Sequence, residues 1–184
     1  MDQQKHKDQP ERPWSVSVAI EDVPEQGRHV ELHADAQTRQ ALAKLVGVLE
    51  VSDLTASFDL TRRGHDGLHV TGGIDATVRQ TCVVTLEPLT NTVRESVDLL
   101  FEPPVEGDDN AHHSPASAAD EMDPPEPLFG GKVDLGAIAT EFLLLGIDPY
   151  PRRADARFEA PQGEDSEGAH PFAALRSLKG GQGS

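Results

Sequence analysis

Three consecutive runs of alternating apolar and polar residues constrain the fold of this chain more than any other feature. They cover residues 53–63, 67–81 and 89–101, with turn sequences at 64–67 and 87–88 between them. Alternation with a period of two places every second side chain on one face of a sheet. Because short turns join the runs, they predict an antiparallel meander with one buried face. The residues predicted on that face are Leu54, Ala56, Phe58, Leu60, Leu68, Val70, Gly72, Ile74, Ala76, Val78, Val93, Val97, Leu99 and Phe101.

Shorter patterns before the meander predict two more strands and a helix. Residues 14–20 alternate with a period of two, and residues 28–33 can form a second short strand. Asp35 is predicted to cap a helix that runs to about residue 50, because its carboxylate can accept a bond from a first-turn amide. The predicted buried face of this helix consists of Leu42, Leu45, Val46 and Leu49.

A second helix is predicted over residues 133–147, where a strongly apolar run ends at Gly146. Two adjacent glycines, Gly72 and Gly73, interrupt the middle strand and predict a bulge or a sharp coil of the sheet. The patterns together predict an α+β fold. It consists of a curved antiparallel sheet or partly open barrel of about five strands, with two main helices.

Negative charge is distributed unevenly along the 184 residues. The net charge is −16, and the stretch 102–126 supplies half of it, with eight acidic residues and no Lys or Arg. A block of like charges repels itself and stays extended. The predicted organisation is a disordered tail at 1–13, a single domain at 14–153 with an acidic flexible loop at 102–131, and a flexible tail at 154–184 in which 171–179 can form a short helix.

Charge and composition also exclude several classes of function. An anionic surface repels phosphates, so binding to DNA or to free RNA is disfavoured, and a basic protein partner is favoured. No run approaches the roughly 18 apolar residues of a membrane-spanning helix. The N-terminus is polar and lacks the apolar core of a secretory signal. We therefore expect a cytoplasmic protein that does not bind membranes.

Cys82 is the single cysteine, so the chain has no disulfide framework. As a nucleophile it would need a base and a setting that stabilises the thiolate. The surrounding sequence QTCVVTLE supplies neither a cation nor a histidine, so we interpret Cys82 as a half-buried residue at the end of a strand. The pairs His29 with His33 and His65 with His69 lie in strand-like or turn sequences, which favours exposed histidines over metal ligands.

Arg152 and Arg153 follow Pro149, Tyr150 and Pro151 and form the cluster most typical of a binding site. The two prolines limit backbone freedom, so an aromatic ring and two guanidinium groups would be presented with little loss of entropy. Alternatively, Tyr150 closes the core and the arginines are peripheral charges. The sequence leaves both readings open.

Several of these segments, in this order, resemble the YceD family of large ribosomal RNA subunit accumulation proteins, in the form typical of alphaproteobacteria. They are VTGGIDATVRQTCVVTLEPL (70–89), FEP (101–103), EPL (126–128), VDLGAIATEFLLLGIDPYPRR (133–153) and PFAALRSLK (171–179). Many relatives carry a CxxC pair and further C-terminal cysteines, which is similar to a zinc site. This chain has Cys82 at the first position and Thr85 at the second, and it lacks the C-terminal cysteines. We expect no metal and no other cofactor.

The resemblance implies a non-enzymatic factor in large-subunit ribosome assembly. Because the chain is anionic, we expect it to act through a basic ribosomal protein or assembly factor, with ribosomal RNA contacted indirectly if at all. The alternatives are a direct RNA-binding module that uses Arg152 and Arg153, and a thiol enzyme that uses Cys82. The residues predicted to bind the partner are Cys82, Thr85, Glu87, Pro88, Asp148, Tyr150, Arg152 and Arg153.

Overall fold

The structure is a computed structural model that describes residues 12–104 and 125–157. Nearly all of both predicted tails, most of the predicted acidic loop and the predicted helix at 171–179 lie outside the described residues. No described helix is long and apolar enough to cross a membrane. The elements are β1 (Ser17–Ala19), β2 (Arg28–His33), α1 (Ala36–Val46), β3 (Glu50–Arg63), β4 (Gly67–Thr81), β5 (Pro88–Glu102), β6 (Glu126–Pro127), β7 (Lys132–Asp134) and α2 (Leu135–Gly146).

The central sheet has the strand order β2-β3-β4-β5-β6 and confirms the predicted α+β class and antiparallel meander. Its first four strands are antiparallel, β6 pairs in parallel with the end of β5, and the sheet does not close into a barrel. The alternation correctly predicted the buried face of β3 and β4 apart from Gly72, which is exposed. On β5, Val93 and Val97 are buried, while Leu99 and Phe101 are half-buried.

Both helices lie against the same face of the sheet. A single apolar core contains Leu42 of α1, Leu143 of α2 and the inward side chains of β3, β4 and β5. The opposite face carries exposed polar residues such as Asp59, Asp75 and Arg94. The domain therefore has two layers, because the sheet has one apolar face and the helices cover it.

Of the two features predicted at Gly72 and Gly73, a bulge or a sharp coil, the bulge does not occur at these glycines. The pairing of β3 with β4 runs without a register shift through both glycines, and the shift lies in β3 between Val51 and Asp53. One extra residue there turns both Val51 and Leu54 towards the core. Gly72 has a φ of 151°, and a Cβ on it would meet the carbonyl oxygen of Ser57 at 2.0 Å. Position 72 therefore requires glycine, because the backbones of β3 and β4 approach too closely there to admit a side chain.

The first helix begins as predicted and ends four residues earlier. The Asp35 carboxylate accepts a bond from the amide of Thr38 at 2.7 Å, which confirms the cap. Gly47 then adopts a left-handed φ of 73° and ends the helix. The predicted buried face is wrong for Leu49, which lies beyond that stop, and for Leu45, which lies within the helix; both side chains are exposed.

The N-terminal strand is shorter than the predicted strand over residues 14–20. Only Ser17–Ala19 is extended, and it pairs with β7 in a separate two-stranded sheet. Asp134 fixes this arrangement, because its carboxylate accepts bonds from the Ser15 hydroxyl and the Val16 amide and also caps α2. Burial raises the pKa of Asp134, but these hydrogen bonds and nearby Arg12 outweigh burial and lower it below 3.8.

The region before α2 also differs from the prediction. The end of the predicted acidic loop forms β6 and a 3-10 turn, Phe129–Gly131, so part of the predicted loop has regular secondary structure. Val133 lies in β7, and the helix itself covers Leu135–Gly146. Leu145, which belongs to the apolar run that predicted this helix, is exposed near the helix end.

Candidate functional site

The chain after α2 is attached to the end of β4 by a buried polar side chain. Gln80 donates from its side-chain amide to the carbonyl of Asp148 at 2.8 Å and accepts a bond from the Asn91 side chain at 2.8 Å. Gln80 is the one buried polar residue within the described part of the chain. A buried amide without partners would be unfavourable, so these bonds fix the segment relative to the sheet.

A tight turn over residues 82–87 joins β4 to β5. The Cys82 amide donates to the Glu87 carbonyl, and the Leu86 amide donates to the Cys82 carbonyl, both at 2.9 Å. Leu86 has a φ of 60°, a left-handed conformation that a non-glycine residue adopts at a cost. Its side chain projects into solvent.

The same turn binds the segment that follows α2. The Val83 amide donates to the Pro151 carbonyl at 2.9 Å, and the Arg153 amide lies near enough to the Cys82 sulfur to help lower its pKa. The Arg153 guanidinium contacts Glu87 Oε2 at 2.7 Å and Asp155 Oδ1 at 3.1 Å. Its hydrogen bond with Asp155 is the main cause of the raised pKa of Arg153 and of the lowered pKa of Asp155. We call residues 82–87 together with residues 148–153 the turn surface.

Cys82 differs from its predicted half-buried state, because it has no solvent-accessible surface. It lies at the edge of the domain, where N–H and O–H donors surround the sulfur. Hydrogen bonds from the Thr85 hydroxyl and amide, then from the Arg153 amide, lower the pKa of Cys82 from 9.0 to about 6, and burial opposes this change. The stabilising donors come partly from residue 153, which the local sequence around Cys82 does not reveal.

The lowered pKa of Cys82 makes a prediction about stability. The folded protein holds the thiolate more strongly than the unfolded chain, so this contribution is present above pH 9 and is lost as the pH falls through 6. We expect the free energy of unfolding of the native protein, relative to that of Cys82→Ser, to rise between pH 6 and 9. Denaturant titrations of both proteins across this range measure it. A constant difference would contradict the lowered pKa.

The donor set at the turn does not fit a metal. Thr85 supplies a hydroxyl that donates to the Cys82 sulfur, whereas structural zinc takes four thiolate or imidazole ligands. Residues 12–104 and 125–157 contain no group of three or more His, Cys, Asp or Glu side chains that could hold one. Three of the four described histidines contact carboxylates instead: His29 contacts Asp59 at 2.8 Å, His69 contacts Asp98 at 2.6 Å, and His65 contacts Asp66.

The structure brings the predicted partner-binding residues together although they are separated by about sixty residues in sequence. Glu87, Asp148 and Arg153 take part in the contacts that hold the turn surface, and Pro88 begins the strand that follows the turn. Tyr150 does not close the core, because its side chain is 70% exposed. Arg152 is also exposed.

Sequence reasoning missed Gln80 and Asn91, which orient the segment after α2. The sequence did indicate that Gln80 is buried, because it follows Ala76 and Val78 at alternate positions of β4 and therefore faces the core. A polar side chain at such a position needs a buried hydrogen-bond partner. Nothing local identified that partner as the Asp148 carbonyl, 68 residues away.

Comparison with known proteins gives one match. The family model described as large ribosomal RNA subunit accumulation protein YceD matches residues 70–179, which include the whole turn surface. No curated protein and no solved structure matches this chain. The match covers more than half of the 184 residues and agrees with the motifs in β4, the 82–87 turn and α2. The chain therefore belongs to the YceD family, whose description gives it a role in accumulation of the large ribosomal RNA subunit.

Proposed function

We propose that this protein is a cytoplasmic, non-enzymatic factor in large-subunit ribosome assembly that binds a basic ribosomal protein or assembly factor through the turn surface. The family role supports the process. The partner and the surface are inferred from the geometry and charge of this chain.

The rigid presentation of Tyr150 carries the proposal. The backbone on either side of it is fixed by the Gln80 bond to Asp148 and the Val83 bond to Pro151, while the ring is 70% exposed. Tyrosine is enriched where proteins bind proteins, and a side chain on a fixed backbone loses little entropy on binding. Leu86 and Val83 add exposed apolar area on the same surface. An exposed aromatic held in this way is suited to enter a pocket of a partner.

Charge favours a cationic partner. The chain carries −16, and half of that lies in residues 102–126. An anionic protein attracts basic proteins over distances of about a Debye length, roughly 8 Å at physiological salt, and this accelerates encounter. Many ribosome components are basic because they neutralise phosphates, so an anionic factor suits binding to them before they meet RNA.

The RNA-binding and thiol-enzyme alternatives are less well supported. The Arg153 guanidinium already contacts Glu87 and Asp155, so a phosphate would have to compete with two carboxylates. Cys82 has no accessible surface, and a nucleophile must reach its substrate. Arg152 remains as an exposed cation that can contact an acidic or aromatic group of a protein partner.

Affinity purification from growing cells, with and without nuclease, tests the proposal. We expect Tyr150→Ala to lose a nuclease-resistant basic protein from the purified complex and to lower large-subunit rRNA relative to small-subunit rRNA. Phe129→Ala is the matched control, because Phe129 is also 70% exposed but follows β6, outside the turn surface. It should retain the protein and the rRNA ratio.

Two results would overturn the proposal. If nuclease removes every associated protein, the contact is made through RNA. If Tyr150→Ala and Arg152→Glu both retain the basic protein at the native level, then the turn surface is not where it binds.

A further inference from the structure

A cleft of about 320 Å³, lined mainly by apolar residues, opens between the end of α1 and the chain that follows α2, and it shares Val83, Asp148, Pro149 and Pro151 with the turn surface. Leu49 and Val83 line it and are exposed, with 55% of Leu49 accessible to solvent. The backbone of Leu49 is fixed by a 2.9 Å bond from its amide to the carbonyl of Arg79. The other apolar residues of the cleft are Val46, Val48, Ile147, Pro149 and Pro151. The cleft thus presents apolar side chains on a fixed backbone.

We propose that residues 171–179 of the same chain, PFAALRSLK, bind in this cleft. Phe172, Leu175 and Leu178 recur every three residues, so a helical turn would place them on one face. Burying such a face against exposed leucine and valine removes apolar area from water on both sides. The match is between three apolar side chains of the segment and the apolar side chains that line the cleft.

Charge also matches this segment to the domain. Residues 171–179 contain Arg176 and Lys179 and no acidic residue, whereas the chain as a whole carries −16. Asp148 lines the cleft itself. The segment is therefore a cationic piece of a strongly anionic protein, and attraction favours its return to the domain.

The length of the connecting chain permits the contact. The described residues end at Arg157, six residues after Pro151 in the cleft wall. Residues 158–170 connect this point to the segment, and 13 residues have a root-mean-square span of about 20 Å. A tether of this length gives an effective concentration on the order of mM, so even weak binding would be populated.

The family match is consistent with this pairing. Its range, residues 70–179, includes Val83, the cleft residues after α2 and the whole proposed segment, and it ends at Lys179. The proposal does not depend on the proposed function, because it concerns contact within one chain.

Paramagnetic broadening in the full-length chain tests the contact. A nitroxide is attached at Ser177→Cys in a Cys82→Ser background, since Cys82 is the single cysteine. Position 177 lies opposite the apolar face in a helical projection, so the label does not replace a contact residue. We expect the amide signals of Leu49, Val83 and Ile147 to be lost, and to return when the nitroxide is reduced.

Two substitutions separate the cleft from the rest of the surface. Leu49→Asp should restore the cleft signals, and Leu144→Asp should leave them broadened. The pair is matched, because Leu144 is 54% exposed and does not line the cleft, and both changes add the same charge. A new carboxylate attracts the cationic segment, so loss of broadening in Leu49→Asp reports loss of apolar contact. Phe172→Asp, a substitution within residues 171–179, should also restore the amide signals of the cleft.

Three results would overturn the proposal. The first is that cleft amides are not broadened in the native background. The second is that Leu49→Asp and Leu144→Asp behave alike. The third is that broadening also appears on isotope-labelled, nitroxide-free protein mixed with nitroxide-labelled protein, which would assign the cleft to a second copy. The contact between residues 171–179 and the cleft is established if the broadening occurs within one chain and is lost only in Leu49→Asp and Phe172→Asp.

Discussion

Gly72→Ala is expected to destabilise the domain by about 3 kcal/mol or more, or to prevent folding. A Cβ at this position would lie 2.0 Å from the carbonyl oxygen of Ser57 and 2.9 Å from the Cα of Phe58. Both atoms belong to the backbone of β3, so no side chain can rotate away. The two strands would have to separate at the centre of the sheet, where β4 also pairs with Val97 of β5. Denaturant titration of the variant measures the loss.

Gly64→Ala separates this clash from conformational strain. Gly64 also has a positive φ, 62°, but nothing lies within 4 Å of a Cβ built on it. The substitution should therefore cost only the left-handed conformation of alanine, about 1 kcal/mol. If the two alanine variants lose equal stability, close approach of the strands is not the reason for glycine at position 72.

Phe58→Ala is expected to cost about 4 kcal/mol, because a fully buried aromatic ring leaves a cavity that its neighbours fill only in part. Phe58 lies in the middle of β3, between Val30 of β2 and Gly72 of β4, and has no accessible surface. Gly72 pairs with Phe58 but has no side chain, so β4 places no large side chain directly opposite the phenyl ring. The free energy of unfolding from urea titration is the measurement.

Phe129→Ala is the control for the same chemical change at the surface. With 70% of Phe129 exposed, we expect its loss to change the free energy of unfolding by less than about 0.5 kcal/mol. A comparable cost at both positions would mean that Phe58 is less well packed than the structure indicates.

The meander was predictable because its pattern is local. Residues along most of β3 and β4 alternate between core and solvent, and turns of a few residues leave antiparallel pairing as the simplest arrangement. Asp35 was predictable for the same reason, since a cap bonds an amide three residues away. The end of α1 was also readable, and the error at Leu49 came from following apolar spacing past Gly47.

The candidate site was predictable only as a set of residue types. Tyr150, Arg152 and Arg153 stood out after two prolines, but the alternative that Tyr150 closes the core remained open from sequence. The contacts from Arg153 to Glu87 and from Val83 to Pro151 cross more than sixty residues. No periodicity describes a contact of that kind.

The amino-acid order was sufficient for the strands of the meander, most of the face they bury, the N-terminal cap of α1 and the position of the charge along the chain. These follow from interactions between residues a few positions apart, where periodicity and hydrogen-bond reach are fixed by backbone geometry. Only the tertiary structure showed that β1 pairs with β7 and that the bulge lies between Val51 and Asp53. It also showed that residues 82–87 contact residues 148–153. Such contacts depend on how the helices and the sheet pack, because burying Gln80 is favourable only where a distant carbonyl meets it.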